Sequence, residues 1–121
     1  MSTLLPIAES GTILMPMNEK EYLYYFTPER EDRFRYHHYL AQGRIVRFSI
    51  QYEAYIDGKW HAIVRYDTAH GRPHKDILHP DGSQDKVDFY GYVREEVLTL
   101  GERDIKANWQ HYRATYQEEM V

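Results

Sequence analysis

The sequence predicts an α+β domain: a twisted antiparallel β-meander with one long C-terminal amphipathic helix packed on one face. Three observations predict it. In RIVRFSIQYEAYI, Val46, Phe48, Ile50, Tyr52, Ala54 and Ile56 occupy even positions, and Arg47, Ser49, Gln51 and Glu53 odd ones. This is the period-two alternation of a strand with one buried face. The same parity returns in WHAIVRYD after Asp57-Gly58, a hairpin signal: Trp60, Ala62, Val64 and Tyr66 are even, His61, Arg65 and Asp67 odd. From Tyr92 the period changes. Val97, Leu98, Ile105, Trp109, Tyr112 and Tyr116 then follow helical spacing, with charged residues between them and a bend expected at Gly101.

The elements follow in order. Residues 1–20 carry little periodicity and read as an irregular arm, and residues 21–121 as a single α+β domain. YLYYFT (22–27), stopped by Pro28, reads as an aromatic edge strand. RFRYHHYL (33–40) alternates like its successors. A three-residue loop Ala41-Gln42-Gly43 keeps Phe34, Tyr36, His38 and Leu40 on the apolar face, opposite Ile50, Phe48, Val46 and Arg44. A three-residue loop Ile56-Asp57-Gly58 likewise sets Ile50 against Val64 and Phe48 against Tyr66, because a one-residue slip would carry charges to the core. HKDILH supplies a further short strand, and His79-Pro80-Asp81-Gly82 a turn.

Composition narrows the setting. Twelve tyrosines suit strands and half-buried surfaces. With no cysteine, disulfides and thiolate metal sites are excluded. The N-terminus lacks a basic region and is broken by Pro6 and Pro16, and no apolar run could span a bilayer. A cytoplasmic protein without membrane contact is expected. The net charge is −4, but residues 33–75 hold eight basic against three acidic residues, a local +5 that leaves −9 elsewhere. Such asymmetry suggests an anion-facing surface.

The stretch RYDTAHGRPHKDILHPDG (65–82) concentrates histidine, aspartate and basic residues. With the hairpin registers above, Arg35, Ser49 and Arg65 form one row of the odd face, and His37, Arg47 and Asp67 the next. Arg35, Arg47, Arg65 and Lys75 are then candidate anion-binding residues. Asp67, His70 and His74 are candidate catalytic ones, since imidazoles beside guanidiniums supply the acid, base and positive charge of ribonuclease chemistry. Metal binding is a second reading, from His70 and His74 with Asp67, Asp76 and His79 nearby. Gly71 and Pro73 oppose the helix that this spacing needs, and there is no H-E-x-x-H motif, so no metal and no cofactor are expected.

A hairpin closed by I-D-G-x-W, then V-R-Y-D-T-A-H-G-x-x-H-x-D-x-L-H-P-D-G, then D-I-K-x-N-W-x-x-Y, resembles a family of small prokaryotic proteins known as a domain of unknown function, over residues 43–117. The resemblance implies the fold and no activity. Arg65, Tyr66, Asp67, Ala69 and His70 are also similar to the R-Y-D-x-A-H element of TumE-like toxins of toxin–antitoxin pairs. The expectation is an anion- or RNA-binding domain of toxin-type endoribonuclease character, with RNA or another phosphate-bearing ligand as partner. The alternative is a non-catalytic module that dimerises or binds a protein through its tyrosine-rich edge.

Overall fold

The computed structural model describes residues 18–121. Six strands, β1 (Asn18–Tyr25), β2 (Asp32–Ala41), β3 (Arg44–Ile56), β4 (Lys59–Asp67), β5 (His74–Leu78) and β6 (Gln84–Asp88), precede one helix, α1 (Arg94–Glu119). The strands form one antiparallel sheet in the order β1-β2-β3-β4-β5-β6, each paired with its neighbours in sequence. The fold is the expected α+β meander with a C-terminal helix on one face. The arm expected over residues 1–20 lies outside the described residues except for 18–20, which already belong to β1.

The even face is the core. Phe34, Ile50, Tyr52, Ala54, Val64 and Tyr66 are all 1 % exposed or less, under Val97 and Ile105 of the helix. Helix α1 packs on the two central strands, β3 and β4. It runs unbroken through Gly101, and the reason is contact. A Cβ there would stand 2.7 Å from Tyr66 Cγ and 2.9 Å from Ile50 Cδ1, so the missing side chain lets the helix settle onto the sheet. Glu95 anchors the helix start, accepting from Arg44 Nε at 2.9 Å and from the Ile45 backbone N–H at 2.9 Å. These bonds, the guanidinium's first, draw the Glu95 carboxyl down to about 2.

Even positions face the core from Phe48 to Ile56 and at Val64 and Tyr66, as expected, but Ile45 and Ile63 are buried as well, His61 turns to Tyr116 of α1, and Trp60 lies against Arg33 on the open face. The register differs too. Both hairpins close with two-residue turns, Gln42-Gly43 and Asp57-Gly58, whose residues all have positive φ (53°, 74°, 51° and 84°). Such turns match the twist of the flanking strands better than a three-residue loop does. Alone they would put charges on the core face. A bulge in each hairpin corrects this: Val46 is the extra residue beyond Leu40–Ile45, and Ile63 the extra one beyond Glu53–Ala62. Ile50 therefore faces Tyr36 and Tyr66, and Tyr52 faces Phe34 and Val64. Beyond each bulge the partners are displaced by two positions from the expected register, and between the bulge and the turn by one.

Two further elements differ from expectation. Strand β6 has no counterpart among the expected elements: all five of its residues are exposed, so no apolar face marks it. The 22–27 strand begins earlier, at Asn18, and its aromatics are not a bare edge: Tyr22 stacks on Tyr36 with centroids 4.6 Å apart, and Tyr24 on Phe34 at 5.2 Å.

Candidate functional site on the open sheet face

The face turned away from α1 carries the polar residues. The true register composes its rows differently from the expected ones. Arg35, Gln51, Arg65, Asp76 and Lys86 form one row across five strands, and His37, Ser49, Asp67, His74 and Asp88 the next. Arg35 and Arg65 thus flank Gln51, not Ser49. Each is engaged: Arg35 Nε lies 2.9 Å from Glu53 Oε2, and Arg65 Nε donates to Gln51 Oε1 at 2.7 Å. Glu53 also receives Arg33 at 2.5 Å. Burial acts to raise the Glu53 carboxyl, but the hydrogen bonds from Arg33, Arg35 and Gln51 outweigh it, so the group lies below the ordinary carboxylate range.

Arg47 is placed otherwise. It pairs across the sheet with Tyr39 rather than with Asp67, and its guanidinium lies 4.1 Å from the centroid of that ring. The Tyr39 ring is in turn 4.7 Å from His37, whose Nε2 contacts Glu19 Oε2 at 2.5 Å. Arg47 is exposed and makes no ion pair among the described residues. A cleft of about 670 Å³ opens here, lined by His37, Tyr39, Arg47, Ser49, Asp67 and His70 together with neighbouring backbone. A second hollow of about 390 Å³ continues from His37 and Ser49 toward Glu21 and Arg35.

The loop from 68 to 73 forms the cleft's far wall. Thr68 ties it to β3: its Oγ1 accepts from the Phe48 N–H at 3.1 Å, while its own N–H donates to the Phe48 carbonyl at 3.2 Å. Asp67 Oδ1 accepts from the Ala69 N–H at 3.1 Å. His70 stands exposed at the turn with φ 64°, a conformation that costs a residue with a Cβ, followed by Gly71 at φ 85°. The loop is therefore pinned at its start and holds an imidazole outward in a strained backbone position.

His74 and Lys75 are consecutive strand residues and part company. His74 is buried on the open face, with Nε2 2.9 Å from Asp67 Oδ1 and 3.5 Å from Asp76 Oδ2, and Nδ1 3.2 Å from the Arg72 carbonyl. Nδ1 thus faces a carbonyl and Nε2 the two carboxylates. Lys75 projects to the helix side, where Nζ donates to Tyr112 Oη at 2.8 Å and lies 3.3 Å from Asp104. That carboxylate also accepts from Tyr66, Tyr112 and Asn108. Burial pushes the Asp104 carboxyl up, but these three bonds and the Lys75 charge hold it below its ordinary value.

Of the residues singled out in the sequence, the fold brings Asp67, His70 and Arg47 to one cleft, with His74 buried behind Asp67. Arg35 and Arg65 sit in the adjoining row, and Lys75 lies across the sheet. His37 and Tyr39 were not singled out as site residues: the expected register set His37 in a row with Arg47 and Asp67, whereas the bulge places Arg47 beside Tyr39, and His37 meets Glu19 of β1.

No curated protein and no solved structure matches the chain. Residues 17–120 match the family described as a domain of unknown function, DUF7718. Among the described residues, no helix is long and apolar enough to cross a membrane. The match takes in every strand, the cleft and the helix, so the chain belongs to the DUF7718 family.

Proposed function

We propose that the open sheet face binds the phosphodiester backbone of single-stranded RNA and cleaves it as a toxin-type endoribonuclease. The observation that carries the reading is the cleft in which Arg47, stacked on Tyr39, converges with His37 and His70. A guanidinium without an ion-pair partner among the described residues suits a phosphate, and the neighbouring Tyr39 and His37 rings, tilted at 49°, offer aromatic surface to an unpaired base. Phosphate binding thus passes to Arg47 as the leading residue, with Arg35 and Arg65 in a supporting row. The similarity of Arg65, Tyr66, Asp67, Ala69 and His70 to the element of TumE-like toxins points the same way.

In this reading the RNA 2′-oxygen attacks phosphorus. The bond from phosphorus to the 5′-oxygen breaks, leaving a cyclic 2′,3′-phosphate. His70 takes the proton from the 2′-hydroxyl, and His37 returns one to the leaving 5′-oxygen. Asp67 holds the loop on which His70 stands, through its bond to Ala69. A cytoplasmic location fits such a substrate.

The test is fluorescence anisotropy with a mixed-sequence single-stranded RNA, followed by a cleavage gel. Binding should weaken as salt rises. Arg47→Ala should lower the log–log salt slope by about 0.7, the share of one single-strand phosphate contact. His70→Ala should leave binding in place and reduce cleavage by about 10²–10⁴-fold. Absence of binding at low salt would overturn the reading. The partner-binding module would then take its place, resting on outer strand β6, whose residues are all exposed.

A further inference from the structure

We propose that Asp67, His74 and Asp76 form a binding site for a divalent transition ion, Mn²⁺ or Zn²⁺. The proposal does not depend on RNA being the substrate. It starts from strand pairing. Asp67 ends β4 and pairs with His74 at the start of β5, and Asp76, two residues on, falls on the same face. One ligand atom from each side chain lies within 4.8 Å of the other two. Imidazole Nε2 is 2.9 Å from Asp67 Oδ1 and 3.5 Å from Asp76 Oδ2. Ligands held about 2.1 Å from one ion stand roughly 3.0–3.4 Å from their neighbours, so these spacings need little change to close on a cation.

The hydrogen bonding of His74 points to what sits between the carboxylates. Its Nδ1 faces the Arg72 carbonyl at 3.2 Å. A carbonyl only accepts, so Nδ1 carries the hydrogen, and the lone pair of a neutral ring falls on Nε2. Donation of the second ring N–H to a backbone carbonyl is the arrangement that orients metal-bound histidines.

A second observation concerns Asp76. It is 3 % exposed, yet its Oδ1 has no hydrogen-bond partner among the described residues. Lys86 Nζ lies 3.2 Å away, close enough to act by charge but outside hydrogen-bond geometry. A half-buried and a buried carboxylate thus flank one imidazole, with only Lys86 beside the unpartnered Asp76 oxygen, and burial of charge favours a cation among them. One nitrogen and two carboxylate oxygens suit ions of intermediate hardness rather than thiophilic ones. Because Asp67 also lines the cleft, a bound ion would adjoin the face on which Arg47 and His70 stand.

The competing arrangement is a protonated His74 bridging two aspartates with no metal. Full-length protein treated with a chelator and then titrated with MnCl₂ or ZnCl₂ in a calorimeter distinguishes them. One equivalent should bind, with a rise in Tm, and Asp76→Asn should weaken binding at least tenfold. Since that variant alters a buried group, a second measurement uses the unaltered chain. Substoichiometric Mn²⁺ should broaden amide signals of residues 67 and 74–76 first, and nitrogen spectra should show His74 with its hydrogen on Nδ1 alone. Broadening centred on the exposed His79–Asp85–Glu119 cluster would overturn the proposal, as would a doubly protonated His74 unchanged by metal. Absence of binding by the unaltered chain would overturn it equally.

Discussion

His79 closes the turn between β5 and β6 and reaches the far end of the helix. Its Nδ1 lies 2.9 Å from Glu119 and its Nε2 2.9 Å from Asp85. Those two bonds, Glu119's first, raise the imidazole from 6.5 to about 8. A folded-state value above the unfolded one means stability that is fully present below about pH 6.5 and is lost as pH rises through about 8. The difference in urea midpoint between the wild type and His79→Gln should therefore be largest near about pH 6 and close by about pH 9. A gap that stays constant across that range would show that the contacts act by packing alone. In the sequence, His79 is only one letter of a turn motif, because its partners lie 6 and 40 residues away.

At the scale of elements, Gly101 decides how closely α1 approaches the sheet. Alanine has the better helix propensity, by about 1 kcal/mol. Here its methyl group would lie 2.7 Å from the Tyr66 ring, and overpacking of that kind costs about 1–3 kcal/mol. Gly101→Ala should lower Tm despite the propensity gain; a higher Tm would mean the helix rides further from the sheet. The sequence hinted at both the helix and the glycine, but a glycine amid helical spacing reads equally well as a break. The strands teach a related lesson. Alternation assigned the stretch from Phe48 to Ile56, with Val64 and Tyr66, to the correct face, because parity is a property of one strand at a time. At the bulges and from there to the turns it failed, missing buried Ile45 and Ile63 and placing Trp60 on the core face. Register belongs to two strands together, and bulges reset it. The signs were the adjacent apolar pairs Ile45-Val46 and Ile63-Val64, where strict alternation should have shown a polar residue. β6 left no sign of this kind, having no buried face.

For the whole molecule, the division of the sheet into two faces governs what each charge can do. Lys75, next in sequence to His74, serves the buried network under α1 with Asp104 and Tyr112, while His74 serves the open face. The density of histidine and aspartate in residues 65–82 drew attention to the segment that supplies Asp67 and His70 to the cleft. It could not show that Asp67 and His74 become cross-strand partners, because that depends on the loop folding back through Thr68. Nor could it place Arg47 on Tyr39, which follows from the bulge at Val46. The most direct test of the account is a map of amide shifts on titration with single-stranded RNA at low salt. Changes should gather at His37, Tyr39, Arg47, Ser49 and His70, leaving Lys75, Asp104 and Tyr112 still. Changes centred on α1, or none at all, would contradict it.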